Sequence, residues 1–297
     1  MRSRTWTLLL VALPTLAHAE AARAQVEDAS DSIGTGDIAY RPQTSFLRNG
    51  ERLEFSLEYG LVSAGTATME VGEVEQVMGR PCVWLTTRAR SAQAFDLLFK
   101  VDDRVVSLFD TEELYSWRFE RHIREGTYSK DESVIYDPVN RVARYDDGKI
   151  FRTPERAQDV LSALYYVRTR ELIPGTSILV PTHAERKNYA LEVKVLEEES
   201  VVTPAGTFDC IAVEPVLQSE GIFRQQGSLR IWLTRDEAHV PVLMKSKVVI
   251  GHVTALLTDR WVGEEDAEEE LAGMPIAGGA RTGNESGAVS AVEGASR

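Results

Sequence analysis

The sequence RLEFSLEY, residues 52–59, alternates polar and apolar side chains at every position. Successive side chains of a β-strand point to opposite faces, so one face of such a strand is apolar and the other polar. The apolar face would carry Leu53, Phe55, Leu57 and Tyr59. The pattern therefore predicts a strand with one buried face and one solvated face.

The same period of two recurs throughout the chain between residues 44 and 262. It is found around residues 115–119, 191–195, 229–233 and 242–248. Turn residues such as Asp146-Asp147-Gly148 separate the alternating stretches, as in antiparallel hairpins. We predict a mainly β fold: one strongly curved antiparallel sheet, a half-barrel or barrel, with a single central amphipathic helix packed on it.

The segment that predicts this helix runs from Thr153 to Leu172. Threonine is a frequent N-cap residue, and Pro154 would occupy the first helical position. Apolar residues then follow at helical spacing until Pro174-Gly175. We expect the apolar stripe of the helix to pack on the sheet, and we assign no functional role to its polar residues Gln158 and Asp159.

The strand runs on either side of this helix are similar to each other. ATMEVGEVEQVMGRPCVWL (67–85) and ALEVKVLEEESVVTPAGTFDCIAVEP (190–215) both read as strand, glycine turn, cysteine, strand. An acidic turn between two strands follows in each case. Two interpretations stay open: an internal duplication, or two β-meanders that share common turn residues.

The N-terminal residues 1–24 have the features of a secretory signal peptide. Arg2 and Arg4 precede a short apolar run, and small residues at Ala19 and Ala24 offer two cleavage sites. The apolar run is too short to span a bilayer, and no later stretch is long and apolar enough to do so. We therefore expect an exported, periplasmic protein without a membrane span.

Composition divides the rest of the chain into three parts. Residues 25–43 are predicted to be a flexible lead-in, residues 44–262 a single β-rich domain, and residues 263–297 a disordered acidic tail rich in Gly, Ala and Ser. The formal net charge of the whole chain is −13. Nucleic acid is excluded as a partner, because phosphate binding requires a basic surface.

Four stretches of this core carry a resemblance to a known family. They are GERLEFSLEYGLVSAGTATMEV (50–71), QDVLSALYYVRTREL (158–172), TPAGTFDCIAVEP (203–215) and HVPVLMKSKVVIGHVTALL (239–257). The chain resembles the exported bacterial proteins grouped as domain of unknown function 3108, a family that brings no established activity and no catalytic residues. The paired strands also look like the half-barrels of Lol-type periplasmic lipoprotein carriers, which is an analogy of fold only.

The sequence offers no catalytic residues, no metal site and no cofactor motif. The histidines of the core lack the spacing of a zinc-protease helix, and we expect His122 and His239 to be exposed. The Asp102-Asp103-Arg104 cluster is expected at a solvated strand edge, because neighbouring side chains on a strand point apart. A hydrolase is consequently the least supported class of function, although it is not excluded.

Cys82 and Cys210 are the only cysteines of the chain. Export would place them in an oxidising compartment, where disulfides form. Each lies beside a glycine turn, in matching positions of the two similar runs. A Cys82–Cys210 disulfide and two separately buried thiols both remain open.

The stretch AFDLLFKVDDR, residues 94–104, places apolar residues in a connection between strands, where polar residues are usual. Phe95, Leu98 and Phe99 have the i, i+3, i+4 spacing of one face of a helical turn. Such a turn would either gate the open end of the curved sheet or simply plug it.

These patterns together predict an exported β-rich binding protein that holds a lipid or other apolar molecule in the concave face of its sheet. The alternative is a cell-envelope scaffold or interaction protein without a small-molecule ligand. The side chains predicted to line the ligand site are Phe55, Tyr59, Phe95, Leu98, Phe99, Trp117 and Phe119.

Overall fold

The computed structural model describes residues 44–47, 50–96, 99–217, 229–247 and 251–262. The predicted signal peptide (1–24), lead-in (25–43) and acidic tail (263–297) lie outside these residues, as does Leu98. Among the described helices, none has both the length and the apolar character needed to cross a membrane.

The described residues form fourteen strands, a 3-10 turn at Ser45–Leu47 and two α-helices, α1 (Gln93–Asp96) and α2 (Val160–Arg168). Eight strands precede α2: β1 (Arg52–Tyr59), β2 (Val62–Val77), β3 (Arg80–Ser91), β4 (Asp102–Asp110), β5 (Ser116–Glu125), β6 (Tyr128–Asp137), β7 (Val142–Tyr145) and β8 (Ile150–Arg152). Six follow it: β9 (Ser177–Ala184), β10 (Lys187–Thr203), β11 (Gly206–Leu217), β12 (Leu229–Thr234), β13 (Pro241–Lys247) and β14 (His252–Trp261).

All fourteen strands belong to one antiparallel sheet in the order β8-β7-β6-β5-β4-β3-β2-β1-β14-β13-β12-β11-β10-β9. The prediction of a mainly β protein with one antiparallel sheet is confirmed. The sheet does not close, because β8 and β9 are its two edge strands and no ladder joins them. The first and last strands of the chain, β1 and β14, instead pair near the middle of the order.

Strands β1–β6, the first repeat, and β9–β14, the second repeat, have the same layout. The β2–β3 pairing shifts between Val71 and Val74, and the β10–β11 pairing shifts in the same way between Val195 and Glu198. A second shift occurs between β4 and β5 and again between β12 and β13 at matching places, Leu108/Phe109 and Trp232/Leu233. Shared turn residues do not require shared bulges, so the matched registers favour the duplication over two unrelated meanders.

One contiguous apolar core fills the inner face of the sheet. The side chains predicted from the first stretch, Leu53, Phe55 and Leu57, are buried there and alternate with outward-facing polar residues. Tyr59 is partly buried and packs against the same core. Burial of a Leu or Phe side chain stabilises the fold by about 1.5–3 kcal/mol.

Helix α2 is shorter than the sequence predicts, because it begins at Val160 with Asp159 as its N-cap and not at Thr153. The residues before it follow an edge strand: Gln158 forms a parallel bridge to Thr182 of β9. The backbone N–H of Gln158 donates to the carbonyl of Pro181, at 2.7 Å. Tertiary pairing with β9 therefore overrides the local helix-start signal at Thr153-Pro154.

Candidate functional site

The sheet has two ends that are closed by different means. At one, the helix end, α2 reaches from the β4–β5 turn (111–115) to the β12–β13 turn (235–240). At the other, the Phe95 end, lie the β1–β2 turn, the connection 92–101 and the β5–β6 turn.

Asp159 anchors the beginning of α2 in the core. Its Oδ1 accepts the backbone N–H groups of Leu161 and Ser162, at 2.7 and 2.9 Å. Its Oδ2 accepts the hydroxyls of Ser107 on β4 and Ser116 on β5, both at 2.6 Å. Burial raises the pKa of this carboxyl, while the four hydrogen bonds oppose that rise. Asp159, to which the sequence assigns no role, thus fixes the helix to the first repeat.

Arg168 anchors the last turn of α2 and is completely buried. Its Nη1 lies 2.8 Å from Oε1 of Glu51, which is also buried, and its Nη2 donates to the Ala238 carbonyl at 3.0 Å. The guanidinium carbon also lies 4.1 Å from the centroid of the Phe46 ring. The ion pair was missed in the sequence, although Arg168 stands seven residues after Leu161, on the apolar stripe of the helix.

Side chains join the two edges of the sheet where backbone pairing is absent. Tyr136 of β6 donates to the carbonyl of His183 on β9, at 2.8 Å, and the Tyr145 hydroxyl of β7 lies 3.1 Å from Nε2 of the same histidine. The Nδ1 of His183 donates to Asn188 Oδ1 at 2.7 Å. Burial lowers the pKa of His183, so the neutral ring is favoured.

Ion pairs also join the two edges of the sheet, and these contacts form an ionic seam. Arg121 of β5 is buried and lies 2.8 Å from Glu132 on β6. It also pairs with Glu185 in the β9–β10 turn, which Lys130 reaches at 3.2 Å. The two cations hold the pKa of Glu185 below its ordinary value, against the opposing effect of burial. Two carboxylates and two cations therefore balance one another across the seam.

The Phe95 end is closed by a short segment. The Ala92 N–H donates to the Ala64 carbonyl at 2.9 Å, α1 forms a short helical turn, and the Phe99 N–H donates to the Phe95 carbonyl at 2.9 Å. Phe95 is buried, with 7% of its surface exposed. Phe99 is partly buried and packs against the core. Its ring lies so close to Gly126 that a Cβ atom at this glycine would be 3.0 Å from the ring.

The predicted ligand-lining residues are only partly brought together. Phe55 and Phe119 are buried in the core, and Tyr59 and Phe99 pack against it. Trp117 is not brought to this face. Trp117 lies in a β-bulge, because its neighbours Ser116 and Arg118 pair with consecutive residues of β4. The bulge separates Trp117 from the alternation that positions Phe119. The Trp117 ring instead contacts Tyr115, with the ring centroids 5.4 Å apart.

Two expectations about polar residues are wrong. His239 is buried rather than exposed, because its Nδ1 donates to the Arg168 carbonyl at 2.8 Å, and burial lowers its pKa. Asp103 is also buried, whereas its neighbour Asp102 is exposed as expected of a strand edge. His122 is about half exposed, beside Asp131.

Cys82 and Cys210 are free thiols, so the disulfide alternative is not realised. Both are completely buried, and they occupy matching positions of the two repeats, opposite Glu75 and Glu199. Burial raises the pKa of Cys82 to about 11 and that of Cys210 to about 12. Neither is therefore a reactive thiolate at neutral pH.

The surface offers a groove but no group of metal ligands among the described residues. Within the described ranges, no three His, Cys, Asp or Glu side chains are grouped so as to hold a metal ion. A groove of about 420 Å³ lies between the tip of the β2–β3 hairpin and the β4–β5 turn, and the residues lining it are Val74, Gln76, Gly79, Pro81, Thr111 and Glu112. None of the predicted ligand-lining residues contributes to this groove.

A known structure shares this architecture at very low sequence identity. A β-barrel-like protein of domain of unknown function DUF1849 from Brucella abortus superposes with a TM-score of 0.52, at 8% identity, over 73% of this chain and 98% of that one. This likeness shows the fold alone. Weaker similarity is found to a protein from Parabacteroides distasonis described as a candidate lipoprotein, with a TM-score of 0.34, 13% identity, and coverage of 73% and 98%.

A protein from Bacteroides fragilis, described as a candidate exported protein with a YmcC-like fold, gives a TM-score of 0.32 at 10% identity, over 72% of this chain and 96% of that one. No curated protein matches the sequence. The family model described as protein of unknown function DUF3108 matches residues 54–258, which is most of the chain and nearly all of the sheet. The chain therefore belongs to the DUF3108 family.

Proposed function

We propose that this protein is an exported, periplasmic binding protein that holds a lipid or other apolar molecule at the Phe95 end of its sheet. The observation that carries the proposal is the unequal closure of the two ends. The helix end is fixed by the buried carboxylate of Asp159 and by the buried Arg168–Glu51 pair. Within the described residues, the Phe95 end is covered by one helical turn, a few backbone hydrogen bonds and the side-chain contacts of Ser91 with Asp96 and Val101.

Exposed apolar side chains beside this turn support the same end as the point of entry. Leu61, at the tip of the β1–β2 hairpin, is fully exposed, and Val62 is 58% exposed. The same hairpin accepts the Ala92 hydrogen bond through the Ala64 carbonyl, so Leu61 and Phe95 belong to adjacent segments. An apolar surface that continues from solvent towards buried aromatic rings is the kind of surface on which an apolar molecule can bind.

The test begins with the protein purified without detergent. We expect mass spectrometry of an organic extract to detect a co-purified lipid. We also expect the neutral fluorescent probe N-phenyl-1-naphthylamine to bind the extracted protein, and Phe99→Ala to weaken that binding. Val139→Ala is the matched control, because Val139 is an apolar residue that is 88% exposed in the β6–β7 turn, at the helix end. Absence of both lipid and probe binding would contradict the proposal.

A cell-envelope scaffold is the second candidate, and one specific observation favours it. Apolar residues are exposed at the tips of several hairpins, with Met78 85%, Val139 88% and Val202 72% exposed. Exposed apolar residues of this kind are common at contacts with other proteins. The scaffold interpretation takes the place of the carrier if the extract contains no lipid and the probe does not bind.

A further inference from the structure

The duplication allows each position of the first repeat to be compared with its partner in the second. Matched registers align the inner face of β3–β6 with that of β11–β14. Polar residues on the first wall correspond mostly to apolar ones on the second: Thr87 to Pro215, Ser107 to Ile231, Arg121 to Ser246 and Glu132 to Val253. The fold itself therefore does not require a polar inner wall.

Most of the polar residues on this wall have a structural role. Ser107 holds the N-cap of α2, and Arg121 and Glu132 belong to the ionic seam. Thr87 and Asp103 are not accounted for in this way. Thr87 is 1% exposed, and its hydroxyl has no hydrogen-bond partner within the described part of the chain. A buried hydroxyl without a partner costs about 1–3 kcal/mol, so its retention calls for a reason.

Asp103 lies next to Thr87 on the same inner face. Ala89 of β3 pairs with Asp103 of β4, and Thr87 pairs with Val105, so the two polar residues are diagonal neighbours. Diagonal neighbours on adjacent strands are about 7–8 Å apart, close enough to contact one small chemical group between them. The Asp103 Oδ1 accepts the backbone N–H of Arg124 at 2.7 Å, and its carboxyl is also hydrogen-bonded to that of Glu125.

Small residues stand beside Asp103. Ala67 pairs with Ala89, directly across β3 from Asp103. The same two positions of the second repeat hold Leu191 and Leu217. At the position of Ala67 the second repeat thus accommodates the buried Leu191, and this replacement removes three carbon atoms from the wall beside the carboxyl group.

The charges on this wall favour a cationic guest. Arg121 and Lys130 are matched by Glu132 and Glu185. Desolvation raises the pKa of Asp103 to about 6, against the opposing hydrogen bonds, so the carboxyl remains mainly ionised above pH 7. The polar wall consequently carries negative charge at Asp103, and a buried charge is stabilised by a partner of opposite sign.

We propose that Asp103 and Thr87 bind the primary-amine head group of an amphiphile, beside the small side chains of Ala67 and Ala89. This inference rests on the proposed function and names the ligand class: an apolar chain that ends in a cationic hydrogen-bond donor. The ammonium group donates to the Asp103 carboxylate and to the Thr87 oxygen. The chain packs against the apolar inner wall of the second repeat.

Competition between two matched amphiphiles tests this assignment. Dodecylamine and dodecanoic acid share a chain length and differ in the charge of the head group. Each is titrated, below its critical micelle concentration at pH 7.5, against the extracted full-length protein carrying N-phenyl-1-naphthylamine. We expect dodecylamine to displace the probe at a concentration at least about tenfold lower than dodecanoic acid, which corresponds to about 1.4 kcal/mol.

Three variants locate the preference. Asp103→Asn should abolish it, and Thr87→Val, which keeps the shape of the side chain, should reduce it severalfold, because one hydrogen bond from the charged ammonium group is lost. Asp102→Asn is the matched control: Asp102 is the adjacent residue, its side chain is 54% exposed, and its substitution should leave the preference unchanged. Circular dichroism melts establish that each variant is folded, and Thr87→Val decides the matter if Asp103→Asn does not fold.

The outcomes separate this inference from the function on which it rests. If the probe binds but both competitors displace it equally, or if the amine preference survives in the Asp103 or Thr87 variants, the head-group assignment is overturned and the binding protein remains. If neither probe nor extracted lipid is found, the proposed function fails and the assignment fails with it.

Discussion

At the scale of single residues, burial raises the pKa of two acidic groups that differ in their hydrogen bonds. The carboxyl of Asp159 accepts four hydrogen bonds at the start of α2, which oppose the effect of desolvation. Asp103 accepts one backbone N–H and shares a hydrogen bond with another carboxyl, and its pKa is raised to about 6. Asp159 thus joins α2 to two strands, whereas Asp103 joins fewer groups and its ionised form costs free energy at neutral pH.

The pH dependence of stability should reveal the state of Asp103. Because its pKa in the folded protein lies above the ordinary value of 3.8, its contribution is fully present below about pH 4 and is lost as the pH rises through about 6. Relative to Asp103→Asn, the wild type should lose about 2–3 kcal/mol of unfolding free energy between pH 4 and pH 7.5. Urea unfolding of both proteins at several pH values measures this, and a difference that does not vary with pH would contradict it.

At the scale of secondary-structure elements, α2 connects both repeats across one end of the sheet. Asp159 fixes it to β4 and β5, and Arg168 fixes it to Glu51 before β1 and to Ala238 before β13. A helix of nine residues is marginal in isolation, so these contacts and its apolar stripe hold it in place. The connection at the Phe95 end is held by backbone hydrogen bonds and by Ser91, whose hydroxyl donates to Asp96 and accepts the Val101 N–H.

Removal of the guanidinium should show how much the anchor contributes. Arg168→Met leaves the buried Glu51 with only the more distant Arg260, 3.9 Å away, as an ion-pair partner, and we expect a loss of about 3–5 kcal/mol in unfolding free energy. Adding Glu51→Gln should restore part of that loss. Arg90→Met is the control, because the Arg90–Asp102 pair is more than half exposed and should change stability by no more than about 1 kcal/mol. Equal losses in both single variants would argue against a special role for the buried pair.

The two phenylalanines of the opposite end should respond differently to truncation. Phe95 is 7% exposed, so Phe95→Ala should lower the unfolding free energy by about 3 kcal/mol, as expected of a plug. Phe99 is only partly buried, and Phe99→Ala should cost less stability while changing binding of the fluorescent probe. Val139→Ala, at an 88% exposed residue of the opposite end, serves as the control. Little loss of stability in Phe95→Ala would favour the gate over the plug.

Local patterns were sufficient to predict the strands, because alternation such as that of Leu53, Phe55 and Leu57 directly reflects the two faces of a sheet. Long-range pairing determined what could not be predicted. Thr153-Pro154 has the residues of a helix start, yet Gln158 pairs with β9 and delays the helix. Asp103 looks like an edge residue until the curvature of the sheet encloses it, and Trp117 leaves its expected face because of a bulge.

At the scale of the whole molecule, the two repeats are joined in two different ways. Between β1 and β14 a continuous ladder of backbone hydrogen bonds connects them. Between β8 and β9 side chains make the connection, through the His183 cluster and the Arg121–Glu185 pair. One junction between the repeats is therefore made by strand pairing, and the other is made by polar side chains.

The two repeats should nevertheless unfold together. Each would expose long strand edges and half of the α2 contacts if it unfolded alone, and both are costly in water. We expect a single calorimetric transition, with equal calorimetric and van't Hoff enthalpies. Two well-separated transitions would show that the repeats are independent domains.

The pairing of β1 with β14 also determines how the molecule resists being pulled. Arg52, where β1 begins, pairs with Trp261, where β14 ends. The start of β1 and the end of β14 therefore lie at the same end of one antiparallel ladder. A force that pulls β1 and β14 apart at this end acts along their hydrogen bonds, which therefore break one pair after another and are not loaded together in shear. In an optical trap that pulls on the two termini, the β1–β14 ladder should consequently rupture at low force.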